Sequence, residues 1–103
     1  MNHNDIGKMS TEKPQEIIEP EIDEEVTVNL PYKVILFNDD WHTFEEVITQ
    51  IIKAVRCSYD EARGYAFEAH VKGKVVVFSG ELNQCLKVSS ILEEISLHTQ
   101  IVS

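Results

Sequence analysis

A chain of 103 residues, 43% hydrophobic and 26% charged, has room for a single globular domain. Eighteen Asp and Glu against nine Lys and Arg leave a formal net charge of −9, which argues against nucleic acid as a partner and disfavours an electrostatic membrane anchor. No apolar run approaches the ~20 residues of a spanning helix, the N-terminus lacks the basic start and apolar centre of a secretory signal, and two cysteines are too few for a disulfide framework or a Cys-rich zinc site. A cytoplasmic, reduced domain without a membrane contact is expected.

Residues 1–29 hold eight of the acids, two of the bases, two prolines and no aromatic residue. Such a stretch buries too little apolar surface to offset the entropy of ordering, so it reads as a flexible acidic extension. Its last part, from Ile17 through Ile22, Val26 and Val28, is able to dock as an extended strand. Pro31 marks the boundary, and residues 30–103 read as the folded domain.

Tyr32–Phe37 is a β-rich run whose near-continuous apolar character suggests a strand covered on both faces. Asn38-Asp39-Asp40 ends it with turn-formers. Thr43-Phe44-Glu45-Glu46 is then a T-x-x-E capping box, and Val47, Ile48, Ile51, Ile52 and Val55 recur on one helical face. Ser58-Tyr59-Asp60-Glu61 repeats the box and opens a second helix through Ala62, Tyr65, Ala66, Ala69 and His70, stopped by Gly73. Lys74–Phe78 is a second strand. After Ser79-Gly80-Glu81, a third helix carries Leu82, Cys85, Leu86, Val88, Ile91, Leu92 and Ile95 on its inner side, and Thr99–Val102 makes a third strand. The order β-α-α-β-α-β predicts an α+β sandwich, a three-stranded sheet with helices packed on it.

The polar residues worth weighing are Asn38, Asp39, Asp40 and His42 in the first strand–helix loop, with His70 at the end of the second helix able to face them. Ordinary turn chemistry accounts for the loop. A metal site would use Asp39, His42 and His70, but three ligands at scattered spacing are a weak signal. Hydrolysis by paired carboxylates would need a cleft that so small a domain hardly supplies. Capture of an ammonium is the fourth reading: carboxylate and amide oxygens and an imidazole nitrogen can accept its three N–H bonds. Cys57 and Cys85 read as packing thiols. Trp41 is either a lid or a surface patch. With four scattered glycines there is no phosphate cradle, and no nucleophile turn occurs, so an enzyme finds little support.

Tyr32-Lys33-Val34-Ile35-Leu36-Phe37-Asn38-Asp39-Asp40 resembles the Y-K-V-[IL]-L-x-N-D-D stretch of the ClpS adaptor family, and the likeness continues through Phe44-Glu45-x-Val47-Ile48 and Ala69-His70-x-x-Gly73-Lys74. The resemblance spans about residues 31–103. It implies the β-α-α-β-α-β sandwich reached above from periodicity, no cofactor, and a monomeric adaptor that is not an enzyme. Such an adaptor binds the N-terminal domain of the ClpA ATPase, or a ClpC-type relative, and delivers proteins with destabilising N-terminal residues to the ClpAP protease. By position, Asn38, Asp39 and His70 correspond to the group that grips the substrate's α-amino group. Leu36, Phe37, His42, Phe44, Val47, Ala66 and Ala69 correspond to the pocket for its first side chain, with Ile101 matching a further pocket position. Glu81 and Lys87 correspond to the ATPase contact, and the acidic extension to an arm used in hand-off. His42 stands where the family usually has Thr, Phe44 where it has Met, and Ala66 and Ala69 where it has larger apolar residues. The altered pocket motivates an alternative, a ClpS-like regulator of the ATPase with altered or no binding of such substrates.

Overall fold

The computed structural model describes residues 31–103 and the two-residue strand β1, Ile18–Glu19. The rest of the acidic extension lies outside the described residues. Strand β2 (Tyr32–Phe37) is central, antiparallel to β3 (Lys74–Gly80) on one side and to β4 (Thr99–Val102) on the other. This is the expected three-stranded sheet. β1 adds a short parallel edge beside β4, with Ile18 opposite Ile101 and Glu19 opposite Val102, so the order is β1-β4-β2-β3.

Helices α1 (Phe44–Val55), α2 (Tyr59–Lys72) and α3 (Leu82–Glu93) cover one face of the sheet. Val34, Leu36, Val75, Val77, Thr99 and Ile101 point into that layer and are buried. Ile35 and Phe37 are only half-buried, and Val76 opposite Ile35 is 43% exposed. The expectation of a strand covered on both faces is therefore corrected: β2 is apolar but for the exposed Lys33 because it is central, and helices pack on one side alone. A bulge on β3 interrupts the ladder. Val34 faces Phe78 and Ile35 faces Val76, leaving Val77 as the extra residue.

Both capping boxes form. Glu46 N–H donates to Thr43 Oγ1 at 3.1 Å while Thr43 N–H donates to Glu46 Oε1 at 2.8 Å, and Ser58 and Glu61 repeat the exchange at 3.1 Å each way. α1 buries Ile48, Ile51 and Ala54, and α2 buries a stripe of alanines, Ala62, Ala66 and Ala69, that lets its backbone approach the core closely. α3 ends at Glu93, and Ser96 at φ 69° reverses the chain, so Ile95 lies in this turn and not on the helix as expected. It still packs, half-buried, against the core.

Among the described residues, three polar side chains are buried with the apolar core: Gln50, Ser89 and Thr99. Each is bonded, as a buried polar group must be. Gln50 Nε2 donates to the Ile91 carbonyl at 2.6 Å. The Ser89 and Thr99 hydroxyls lie 2.6 Å apart, and Thr99 Oγ1 donates to Glu93 Oε2 at 2.8 Å, tying the end of α3 to β4. Thr99→Val removes this tie while conserving shape. A loss of about 1–3 kcal/mol is expected in urea unfolding, chiefly the worth of the hydrogen bond to the Glu93 carboxylate, since Ser89 Oγ keeps its own bond to Glu93 Oε2 at 3.3 Å. The double change Ser89→Ala/Thr99→Val should cost less than the sum of the two singles.

Candidate functional site

The loop Asn38–Thr43 leaves the end of β2 and is fastened at once. Phe37 N–H donates to the His98 carbonyl at 3.0 Å, and Asn38 N–H donates to the Gly73 carbonyl at 2.9 Å. Gly73 is the C-cap of α2, left-handed at φ 93°, its own N–H bonded to the Ala69 carbonyl at 2.8 Å. Because His70 stands in the last turn of that helix, the bond to Gly73 brings Asn38 and His70 to one place.

Asp39 organises the loop. Its Oδ2 accepts three bonds: from Trp41 N–H at 3.0 Å, from His42 N–H at 2.6 Å and from the His42 ring nitrogen Nδ1 at 2.7 Å. No bond from the described residues engages Oδ1. The Asp39 and His42 side chains are 12% and 20% exposed. Burial alone would raise the Asp39 pKa, but the bonds from the His42 N–H, the His42 ring and the Trp41 N–H outweigh it and hold the carboxyl below its ordinary value. An ionised carboxylate only accepts, so Nδ1 of His42 is the donor. Asn38 Nδ2 donates to Asp40 Oδ1 at 3.3 Å, leaving the amide oxygen of Asn38 as an acceptor. His70 is exposed, and its ring makes no hydrogen bond to a described residue.

These groups border an open cavity of about 320 Å³. Asn38, Asp39, Asp40 and His70 supply its polar side. Leu36, Ala66 and Ala69, all buried, with Phe37, Val47 and Leu97 form its apolar wall, and Phe44, 39% exposed, stands at its solvent side. Phe37 is itself braced by the His98 ring, centroids 4.8 Å apart. His42 lines this cavity and also a more open groove of about 560 Å³ bordered by Glu45, Glu46 and Thr49; it alone belongs to both. Only the smaller cavity combines a buried apolar wall with converging acceptors.

Ten of the eleven residues expected at an amino-group grip or a side-chain pocket line this one cavity. Two further residues line it: Asp40, weighed with the loop but given no place in the grip or pocket, and Leu97, which went unread and which the left-handed Ser96 folds back under the loop. Ile101, expected at the pocket, is fully buried in the core and does not line it, so Leu97 takes that part. Trp41 is 92% exposed and lines no part of the cavity, a surface residue and not a lid. Glu81, the N-cap of α3, and Lys87 within it are exposed and stand away from the cavity. Asp39, His42 and His70 do not form a ligand set, since no cluster of three or more His, Cys, Asp or Glu among the described residues is placed to hold a metal ion. No helix among them is long and apolar enough to cross a membrane.

The lowered Asp39 pKa has a thermodynamic counterpart. Stabilisation from the clasp is complete above the ordinary carboxylate value of about 3.9 and is lost as pH falls through the lower folded-state value. Asp39→Asn should therefore be less stable than wild type at neutral pH, and the gap should narrow below about pH 4. Chemical denaturation at a series of pH values checks this; parallel stability curves would contradict it.

Residues 28–100 match the family model of the ATP-dependent Clp protease adaptor protein ClpS. The Wolinella succinogenes ATP-dependent Clp protease adapter protein ClpS is 38% identical over 60 residues, 56% of this chain and 59% of that protein. A segment of the human E3 ubiquitin-protein ligase UBR2 is also 38% identical, over 61 residues, which is 59% of this chain but 4% of the ligase. Among solved structures, Agrobacterium tumefaciens ClpS2 bound to L-phenylalaninamide superposes with a TM-score of 0.66 at 26% identity, covering 70% of this chain and 94% of that one.

Proposed function

Because the chain belongs to the ClpS family of Clp protease adaptors, we propose that its cavity captures the free amino terminus of proteins beginning with a bulky hydrophobic residue and that the chain hands them to a Clp ATPase. The observation that carries this reading is the convergence, beside an apolar recess, of three acceptors that no described residue engages: Asn38 Oδ1, Asp39 Oδ1 and an imidazole nitrogen of His70. An α-ammonium has three N–H donors and one positive charge, and it complements this set in number and sign.

The ligand of the Agrobacterium relative supports the same chemistry. L-Phenylalaninamide is a free amine, a benzyl side chain and an amide in place of the next peptide bond, so it mimics the start of a chain. Kinship with a short segment of a ubiquitin ligase points the same way. What an adaptor and a ligase can share in so small a module is the selection of a protein, not the reaction performed on it. The recess suits Leu, Phe, Tyr or Trp, with Ala66 and Ala69 opening its depth and Phe44 narrowing its mouth.

The energetics suit a carrier that must let go. Charge-assisted bonds contribute about 1.5–3 kcal/mol each at best, and burying one large apolar side chain adds about 1.5–3 kcal/mol. Association costs at least ~4 kcal/mol. The surplus is modest, and affinity is correspondingly moderate. The ATPase contact is assigned to the exposed face of α3, at Glu81 and Lys87, on its N-terminal domain. ClpA and a ClpC-type protein both fit, and the adaptor acts as a monomer.

Fluorescence titration with Phe- or Leu-initiated peptides and their N-acetylated twins tests the grip. The free amines should bind at least about tenfold tighter, since acetylation deletes the charge and two donors; equal affinities would contradict it. Above about pH 8, where a peptide amino group loses its proton, affinity should fall about tenfold per pH unit. Asp39→Ala should weaken binding by about ten- to a hundredfold. Lys87→Ala should leave peptide affinity unchanged and weaken co-sedimentation with the ATPase N-terminal domain.

A further inference from the structure

We propose that His42 is a positioning residue of the ammonium grip: its Nδ1–H locks one oxygen of Asp39 into the loop so that the other is presented to the ligand. This inference rests on reading the cavity as a receptor for a chain start. The argument begins with the unequal loading of the carboxylate. Oδ2 takes three donors, while Oδ1 takes none from the described residues. Two of the three donors are backbone N–H groups of Trp41 and His42, which any residue at position 42 except proline would supply. The third, at 2.7 Å, exists only because position 42 carries an imidazole.

That third bond changes what Asp39 can do. Two backbone donors fix the turn but leave the carboxylate free to rock about its terminal torsion, which is broad for an sp³–sp² bond. A ring donor, held between two recesses and 20% exposed, pins Oδ2 from a third direction. Oδ1 then meets an incoming ammonium without first being ordered, and ordering avoided on binding appears as affinity. The other loop carboxylate, Asp40, is exposed and accepts a single bond, from the Asn38 amide at 3.3 Å, so it lacks the threefold hold that orders Asp39.

The test uses the full chain, a Phe-initiated peptide, a Leu-initiated peptide and the acetylated form of each. In His42→Leu, the ratio of free-amine to acetylated affinity should fall about tenfold, the loss of one bond to a charged group, while the Phe-to-Leu ratio stays at its wild-type value. His42→Asn, which returns an N–H donor, should recover most of the amine preference. An unchanged amine preference in His42→Leu, or a shift confined to the Phe-to-Leu ratio, would overturn the proposal by making His42 a wall of the pocket only. Wild-type protein binding both forms alike would overturn the receptor reading itself. A readout free of substitution is the ¹⁵N spectrum of the His42 ring in wild-type protein. A ring protonated at Nδ1, whether or not Nε2 is protonated too, supports the clasp, and a ring protonated at Nε2 alone overturns it.

Discussion

One backbone hydrogen bond carries the β2–β3 pairing on into the site: Asn38 N–H to the Gly73 carbonyl, at 2.9 Å, one step beyond Phe37 and Lys74. Asn38 follows the central strand and Gly73 terminates the second helix, so the bond joins two segments that the whole helical hairpin separates in sequence. Gly73 can offer its carbonyl there because it adopts a left-handed conformation, φ 93°, that a side chain would resist. With that joint closed, the loop acceptors and the last-turn histidine border the same recess.

The recess shows how a domain with so little interior divides its surface. The helical layer seals one face of the sheet with Leu36, Ile48, Ile51, Leu92 and Ile101, all essentially inaccessible. The cavity opens where that layer is lined by small side chains. Ala66 and Ala69 lie on the buried stripe of α2 and also on the cavity wall, so the residues that permit close helix packing also leave room beside the loop. A larger side chain at either position would fill that volume from inside. Charge follows the same economy. Asp39 is kept ionised by donors from its own turn, so the cavity holds a negative group before any ligand arrives.

The folded core was open to sequence reading wherever a local rule applied. Tyr32–Phe37 and Thr99–Val102 have the strand limits that composition and turn-formers indicated, and the two capping boxes start their helices where Thr43 and Ser58 stand. The polar and apolar residues of the cavity were legible for another reason: a family pattern placed them, and the fold then gathered them. What escaped depends on chain reversals and long-range pairing. Arg56 and Ser96 adopt left-handed conformations without being glycine, so nothing local announced them. Leu97 and Ile101 exchanged roles because of the second of these turns. The Ser89–Thr99–Glu93 tie joins residues of two elements that no local pattern links, and the His42 ring was read as pocket wall when its hydrogen-bond partner is Asp39.

The direct measurement is ¹H–¹⁵N chemical-shift mapping of the labelled chain with L-phenylalaninamide. The account predicts saturable shifts centred on the amides of Asn38–His42, Ala66, Ala69 and His70, absent when N-acetyl-L-phenylalaninamide is added at the same concentration. Shifts confined to α3 or to the open face of the sheet around Ile35 and Val76, or identical shifts with the acetylated compound, would contradict it.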